Sequence, residues 1–125
     1  MKIVRNKIIP FGKNFYAINL FGILFVKGPC GNVTLNHERI HTAQMKELGF
    51  IGFYLLYLIE WMIRLIQYRH HFKAYLNISF EREAYANEKN LSYLLHRKHF
   101  AFKKVSLTIF FLFFSLRYRS FSFIL

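Results

Sequence analysis

Two histidines four residues apart bracket the run His37-Glu38-Arg39-Ile40-His41. On a helix, residues i and i+4 lie one turn apart on the same face. The two imidazoles can then offer one nitrogen each to a single metal ion. Glu38, next to His37, can reach a water held at that ion. H-E-x-x-H on a helix is the spacing of a hydrolytic zinc site, with two histidine ligands and a glutamate base. With this composition the run arises by accident in a chain of this length on the order of 1% of the time. The plain alternative is a helix with two histidines and a salt-bridged glutamate that does no chemistry.

A catalytic zinc commonly takes three protein ligands and leaves one position open. Candidates for the third are few, because all six acids are glutamates. Glu47 follows His41 on the same helix by more than a turn, which places it poorly. Glu60 has a partner four residues on in Arg64. Glu81, Glu83 and Glu88 fall together on a later segment. Glu83 is the best placed of these by pattern, since it opens Glu83-Ala84-Tyr85-Ala86-Asn87, a Glu-x-x-Ala-Asn run. His70 or His71 could substitute, although neighbouring histidines in a basic stretch more often sit in solvent. In such a site Glu38 moves the proton, and Arg82, Tyr75 or Tyr85 could steady the oxyanion.

The elements around these residues follow from pattern. The chain's 125 residues suit one domain. Residues 3–26 read as short strands, with Ile8-Ile9-Pro10-Phe11 as an edge because Pro10 has no N–H to give a ladder. The loop Gly28 to Asn32 leads to a helix that Thr34 or Asn36 can cap, running to about Leu48, where Gly49 can end it. Residues 50–68 are long and apolar. They suit either a buried central helix or one set in or on a bilayer with Glu60 and Arg64 facing protein. Residues 67–78 read as a connection. Ser79 is a plausible cap for a helix over 80–97, with Glu81 in its first turn. Past residue 97 the chain becomes basic and rich in phenylalanine, as an interfacial or inserted anchor would be.

Composition bears on partners. The balance of 18 Lys and Arg against 6 acids gives a net charge of +12, and 54% of residues are hydrophobic. Such an excess seeks an anionic partner. No nucleic-acid-binding signature or zinc-finger spacing is present, so an anionic membrane surface is the expected partner, with no specific nucleic acid. Cys30 stands alone, which excludes an internal disulfide and a thiolate metal cluster. Met1 to Phe15 lacks the apolar core and cleavage site of a signal peptide. The expected setting is a membrane, such as an inner membrane, on its cytoplasmic face.

The motifs resemble a family. The order of strands, H-E-x-x-H helix, apolar helix and Glu-bearing helix looks like a minimal gluzincin, closest to the membrane-associated CaaX-prenyl-protease-like branch. Asn14-Phe15-Tyr16-Ala17 echoes that branch's Asn-Ala-Phe-Ala strand. His37 to His41 match its central motif, and Glu83 to Asn87 match its Glu-x-x-Ala-Asp except that Asn87 replaces the supporting Asp. The chain is also similar to small bacterial proteins with H-E-x-I-H-x-x-Q followed by Glu-Arg-Glu-Ala-Tyr-x-Asn-Glu, which Gln44 and Glu81 to Glu88 fit. The resemblance covers roughly residues 8–95. It implies Zn2+ bound by His37, His41 and Glu83, with Glu38 as general base acting on a peptide or protein substrate.

The expected architecture is a mainly helical α+β, zincin-like fold, with a small N-terminal antiparallel sheet followed by three or four helices. Residues 1–97 form the metallopeptidase-like domain and residues 98–125 a possible membrane anchor. The expected function is a membrane-associated zinc metallopeptidase. The rival is a catalytically inactive zincin-like module that binds metal or a protein partner.

Overall fold

The computed structural model describes residues 1–13 and 15–104. It is α+β and mainly helical, opening with three short strands, β1 (Lys2–Arg5), β2 (Ala17–Leu20) and β3 (Ile23–Val26). Their order in the sheet is β1-β3-β2. β2 and β3 form a hairpin across Phe21 and Gly22, both at positive φ (53° and 79°). Two such residues give the turn whose twist matches antiparallel strands. β1 instead pairs with β3 in parallel, so the sheet is mixed rather than antiparallel. Residues 6–16 carry the chain across to the far side of β3, and the hairpin then reverses it back into the direction of β1.

Ile8 to Phe11, expected as an edge strand, lie in that crossing connection. The cause is Asn6. Its Oδ1 accepts from the amides of Ile8 (2.8 Å) and Ile9 (2.5 Å), and its Nδ2 donates to the Ile9 carbonyl (3.0 Å). Those are the backbone groups a ladder would need, and a local Asx turn takes them first. Asn14, the first residue of the strand echo, lies outside the described residues.

α1 (Asn32–Leu48) starts slightly before the expected caps and ends where expected, at Gly49, whose φ of 63° breaks the helix. α2 (Phe50–Tyr68) begins at once. α3 (His71–Leu76) occupies the expected connection, with the His70 ring accepting from the Lys73 amide. α4 (Ser79–Asn87) and α5 (Tyr93–His96) divide the single helix expected over 80–97. Asn36 on α1 accounts for the division. Its Nδ2 donates to the carbonyls of Glu88 (2.9 Å) and Asn90 (3.0 Å), and the Asn90 side chain accepts from Ser92 (2.8 Å). These side chains offer the backbone a turn in place of helix. There are therefore five helices through His96, against the expected three or four, and residues 102–104 are helical again.

The core joins Met45 of α1, Phe53 of α2, Ile78, Phe80 of α4 and Phe102. Phe80 meets Phe102 at 4.5 Å and Phe53 at 4.9 Å between ring centres. Phe102 belongs to the segment expected as tail. Residues 105–125, the apolar part of that segment, lie outside the described residues.

α2 is long and apolar enough to cross a membrane. Its outward residues, including Ile51, Leu55, Leu58, Met62 and Ile66, are exposed. Its two charges point inward. Arg64 is buried and bonds Gln67 (3.1 Å) and Glu60 (3.4 Å). Glu60 in turn accepts from the Ser79 amide (2.9 Å) and hydroxyl (2.6 Å). A carboxylate at the start of α4 satisfies a free N–H and complements the helix dipole. A charge buried on α2 thus fixes the start of α4.

Phe80→Ala should lower stability by about 3–5 kcal/mol, the usual loss for a fully buried phenylalanine. Denaturant titration reads this directly. A loss near zero would mean that the aromatic cluster is not the core.

Candidate metal centre

The buried face of α1 is mostly polar: Asn36, His37, Glu38, His41 and Gln44, beside Ile40 and Met45. Polar side chains leave water only where partners replace it. Each partner defines part of the site.

His37 and His41 converge as their spacing requires, with their Nε2 atoms 3.0 Å apart. The carboxylate that meets them is Glu81. Its Oε2 lies 3.3 Å from His37 Nε2 and its Oε1 3.3 Å from His41 Nε2. These three buried residues could hold a metal ion. Glu83, the expected third ligand, faces elsewhere. Its carboxylate takes Arg97 Nε (2.5 Å), Tyr93 OH (3.0 Å) and Gln44 Nε2 (3.0 Å). The reason is helical geometry: residues two apart diverge by about 200° around the axis, so on α4 only one of Glu81 and Glu83 can face α1's histidines.

Hydrogen bonds fix the protons. Gln44 Nε2 donates to the Phe80 carbonyl (3.1 Å) and to Glu83. Both are acceptors only, so the Gln44 carbonyl oxygen is the atom left for His41 Nδ1, at 2.8 Å. His41 must therefore donate from Nδ1. His37 Nδ1 likewise faces the Glu88 carboxylate at 2.9 Å. With both imidazoles neutral, two bare Nε2 lone pairs and a carboxylate point at one another. Glu81 Oε2 has no hydrogen-bond partner although it is buried, while Oε1 accepts from Tyr57 OH (2.7 Å). Donors bound about 2.0–2.1 Å from a tetrahedral metal are separated by roughly 3.3 Å. The two Nε2 atoms, 3.0 Å apart, are close to that spacing, each lies 3.3 Å from a different oxygen of Glu81, and one ligand atom from each of the three residues lies within 4.8 Å of the others.

Electrostatics agree with a site built for positive charge. Burial would lower the pKa of His41, but the charge and hydrogen bond of Glu81, aided by Glu38 and Gln44, carry it up to about 9. Burial would raise that of Glu81, but the charge of His41, with His37 and the Tyr57 hydroxyl beside the carboxylate, holds it well below the usual carboxylate range. Glu38 moves the other way. Burial raises its pKa, and Glu81 adds to this against the pull of both histidines. Among the described residues no hydrogen bond engages the Glu38 carboxylate, a placement that suits proton transfer.

Glu38, His37, His41 and Glu81 sit in a cleft of about 580 Å³. Its walls are otherwise largely apolar and aromatic, among them Ile9, Phe11, Phe15, Ile18, Phe53 and Tyr75. β2 lines it along its length and is an edge of the sheet. Asn19 anchors that edge to α1 by donating to the Glu38 carbonyl (2.8 Å) and to the Thr42 hydroxyl (2.8 Å). Of the three oxyanion donors considered, Tyr75 lines the cleft, and neither Tyr85 nor Arg82 does. Burial and the nearby Glu81 charge raise the Tyr75 pKa far above neutrality, so it is a phenol that can donate. Tyr85 sets its ring edge on His37 at 4.6 Å and its hydroxyl 3.3 Å from that of Tyr75. Arg39 is exposed on the opposite side of α1, and His70 and His71 are exposed, as expected.

Asn87 turns back to its own helix, donating to the Glu83 carbonyl (2.8 Å). The carboxylate that orients His37 is the next residue, Glu88. Glu81 and Glu88 are seven apart, two turns, and so share a face. That spacing was the available signal for both.

Metal binding must displace the proton that His41 holds to about 9. Zinc affinity should therefore rise with pH up to about 9. Without metal the sign reverses. A histidine pKa raised from 6.5 to about 9 contributes stability that is full below 6.5 and is lost as pH climbs through 9. The depressed Glu81 pKa contributes stability above its ordinary 4.5. Melting of metal-free protein should thus fall between pH 6.5 and 9, and Glu81→Gln should flatten the fall and abolish stoichiometric zinc binding. A flat wild-type profile would mean that the pair is not coupled. No family model, curated protein or solved structure matches this chain, so the geometry of these side chains is the ground for a functional reading.

Proposed function

We propose that this protein is a membrane-associated zinc metallopeptidase of minimal gluzincin type. The supporting observation is the convergence of His37, His41 and Glu81 beside the unbonded Glu38 carboxylate in an apolar cleft. Two imidazoles and a carboxylate suit zinc. Zinc held there would supply a Lewis acid that acidifies water and polarises a peptide carbonyl. Glu38 takes a proton from the attacking water and returns it to the leaving amine, a task for which its raised pKa fits it. Tyr75 donates to the developing oxyanion. The free edge of β2 offers backbone groups to an extended substrate, and the aromatic walls receive its side chains.

The membrane part of the proposal rests on α2. Its outward face carries only Gly52 and apolar side chains over residues 51–66, a length of roughly 24 Å against a hydrocarbon core of ~30 Å. Its charges are turned inward and paired. A net charge of +12 favours anionic headgroups.

Glu38→Gln should bind one zinc as the wild type does and lose peptide cleavage by about 10²–10⁴-fold. Undiminished cleavage would remove Glu38 from its role. Metal bound by a wild type that cleaves no peptide would leave a metal-binding module. The membrane part is tested by flotation with phosphatidylglycerol vesicles at high salt. Wild type should float, and Ile59→Lys with Ile63→Lys should reduce this. Wild type that stays at the bottom refutes it.

A further inference from the structure

We infer that Glu83 is a positioning residue, which acts through Gln44 to place the proton of the neutral His41 ring on Nδ1, leaving Nε2 as the metal-binding atom turned toward His37 and Glu81. The inference rests on reading those three residues as a zinc centre. Glu83 is only 2% exposed, and its oxygens receive Arg97 Nε (2.5 Å) and Nη2 (3.2 Å), Tyr93 OH (3.0 Å) and Gln44 Nε2 (3.0 Å). Arg97 reaches on to Glu47 of α1 with Nη1 (2.5 Å) and Nη2 (3.2 Å). One guanidinium therefore ties α1 to α4 and aims the Glu83 carboxylate. A planar guanidinium that grips two carboxylates leaves each little freedom to rotate.

The consequence reaches His41 through the Gln44 amide, which is fully buried. Its NH₂ meets the Phe80 carbonyl and the Glu83 carboxylate, and its oxygen meets His41 Nδ1. Were the amide turned over, its oxygen would face two acceptors. Its NH₂ would face His41 Nδ1, forcing the ring proton onto Nε2, the atom that must be bare to bind a metal. Glu83 forbids this because a carboxylate cannot donate. Partners one step beyond a ligand set its tautomer and basicity in this way.

Zinc titration of the full chain in competition with a chelator tests the role, using Glu83→Gln, Gln44→Met and the two combined. Each single variant should bind one zinc with roughly 10–100-fold lower affinity. The double variant should be no weaker than the weaker single one, because Glu83 has no route to the site once Gln44 is gone. A purely structural effect would instead multiply with the second change. Wild-type affinity in either single variant overturns the role, as do losses that multiply or the absence of stoichiometric binding in Glu83→Gln. If Glu83→Gln does not fold, Gln44→Met decides alone, and wild-type affinity there overturns the role. Wild type that binds no zinc removes the metal centre and this role together. Wild type that binds zinc, with losses that multiply, removes only the role.

Discussion

Two imidazole nitrogens and a carboxylate face one another inside this protein. His37 Nε2 and His41 Nε2 lie 3.0 Å apart, and each lies 3.3 Å from a different oxygen of the Glu81 carboxylate. Bringing them together out of water is unfavourable unless positive charge joins them. Much of the surrounding architecture serves to hold that arrangement. α1 buries a polar face, and α4 supplies acceptors for it. Glu88 takes His37, Gln44 takes His41, and Tyr57 steadies the Glu81 oxygen that faces His41. In the absence of metal a proton on His41 can serve as the cation, which is why its pKa rises although burial alone would lower it.

The relation between α1 and the later elements depends on side chains that carry no chemistry of their own. Asn36 spans from α1 to the carbonyls at the end of α4, and so sets where Glu88 leaves the helix. Arg97 clamps the far end of α1, through Glu47, to the middle of α4, through Glu83. The site lies between these two ties. Such a network is strong only when every member is satisfied. Among the described residues two buried side-chain atoms lack a partner, Arg64 Nε on α2 and, where a ligand would enter, Glu81 Oε2.

The local features were legible in the sequence. The H-E-x-x-H spacing put His37, His41 and Glu38 on one buried helix, Gly49 ended that helix, and Glu60 found Arg64. The third carboxylate was not legible, because its choice is a long-range question. Glu81 and Glu83 have the same chemistry and differ only in the face they occupy. The deciding facts are which face of α4 meets α1 and that Arg97 occupies Glu83. Neither is written in local pattern. The Glu-x-x-Ala-Asn run favoured Glu83 and hid the seven-residue spacing of Glu81 and Glu88. The small N-terminal sheet was legible, but its mixed topology was not, for a related reason. Ile8 to Phe11 have strand composition, but Asn6 takes their backbone groups, and β1 could pair with β3 only after a hairpin had reversed the chain.

α2 connects the outer surface to this centre. Water-soluble helices turn charge outward and hydrocarbon inward; α2 turns its charges inward and carries apolar residues on both faces. Its inward Glu60 caps α4 at Ser79, two residues before Glu81. Tyr57, one turn earlier on the same face, donates to Glu81 itself. The residues that leave the outer face of α2 apolar are therefore the ones that fix where Glu81 sits. Exposing α2 to water or covering it with lipid would bear on the carboxylate through two hydrogen-bonded contacts rather than through a long path. In this fold the outward apolar face and the residues that hold the Glu81 carboxylate of α4, Tyr57 and Glu60, are two sides of one helix, α2, and a change in the setting of one is mechanically a change in the support of the other.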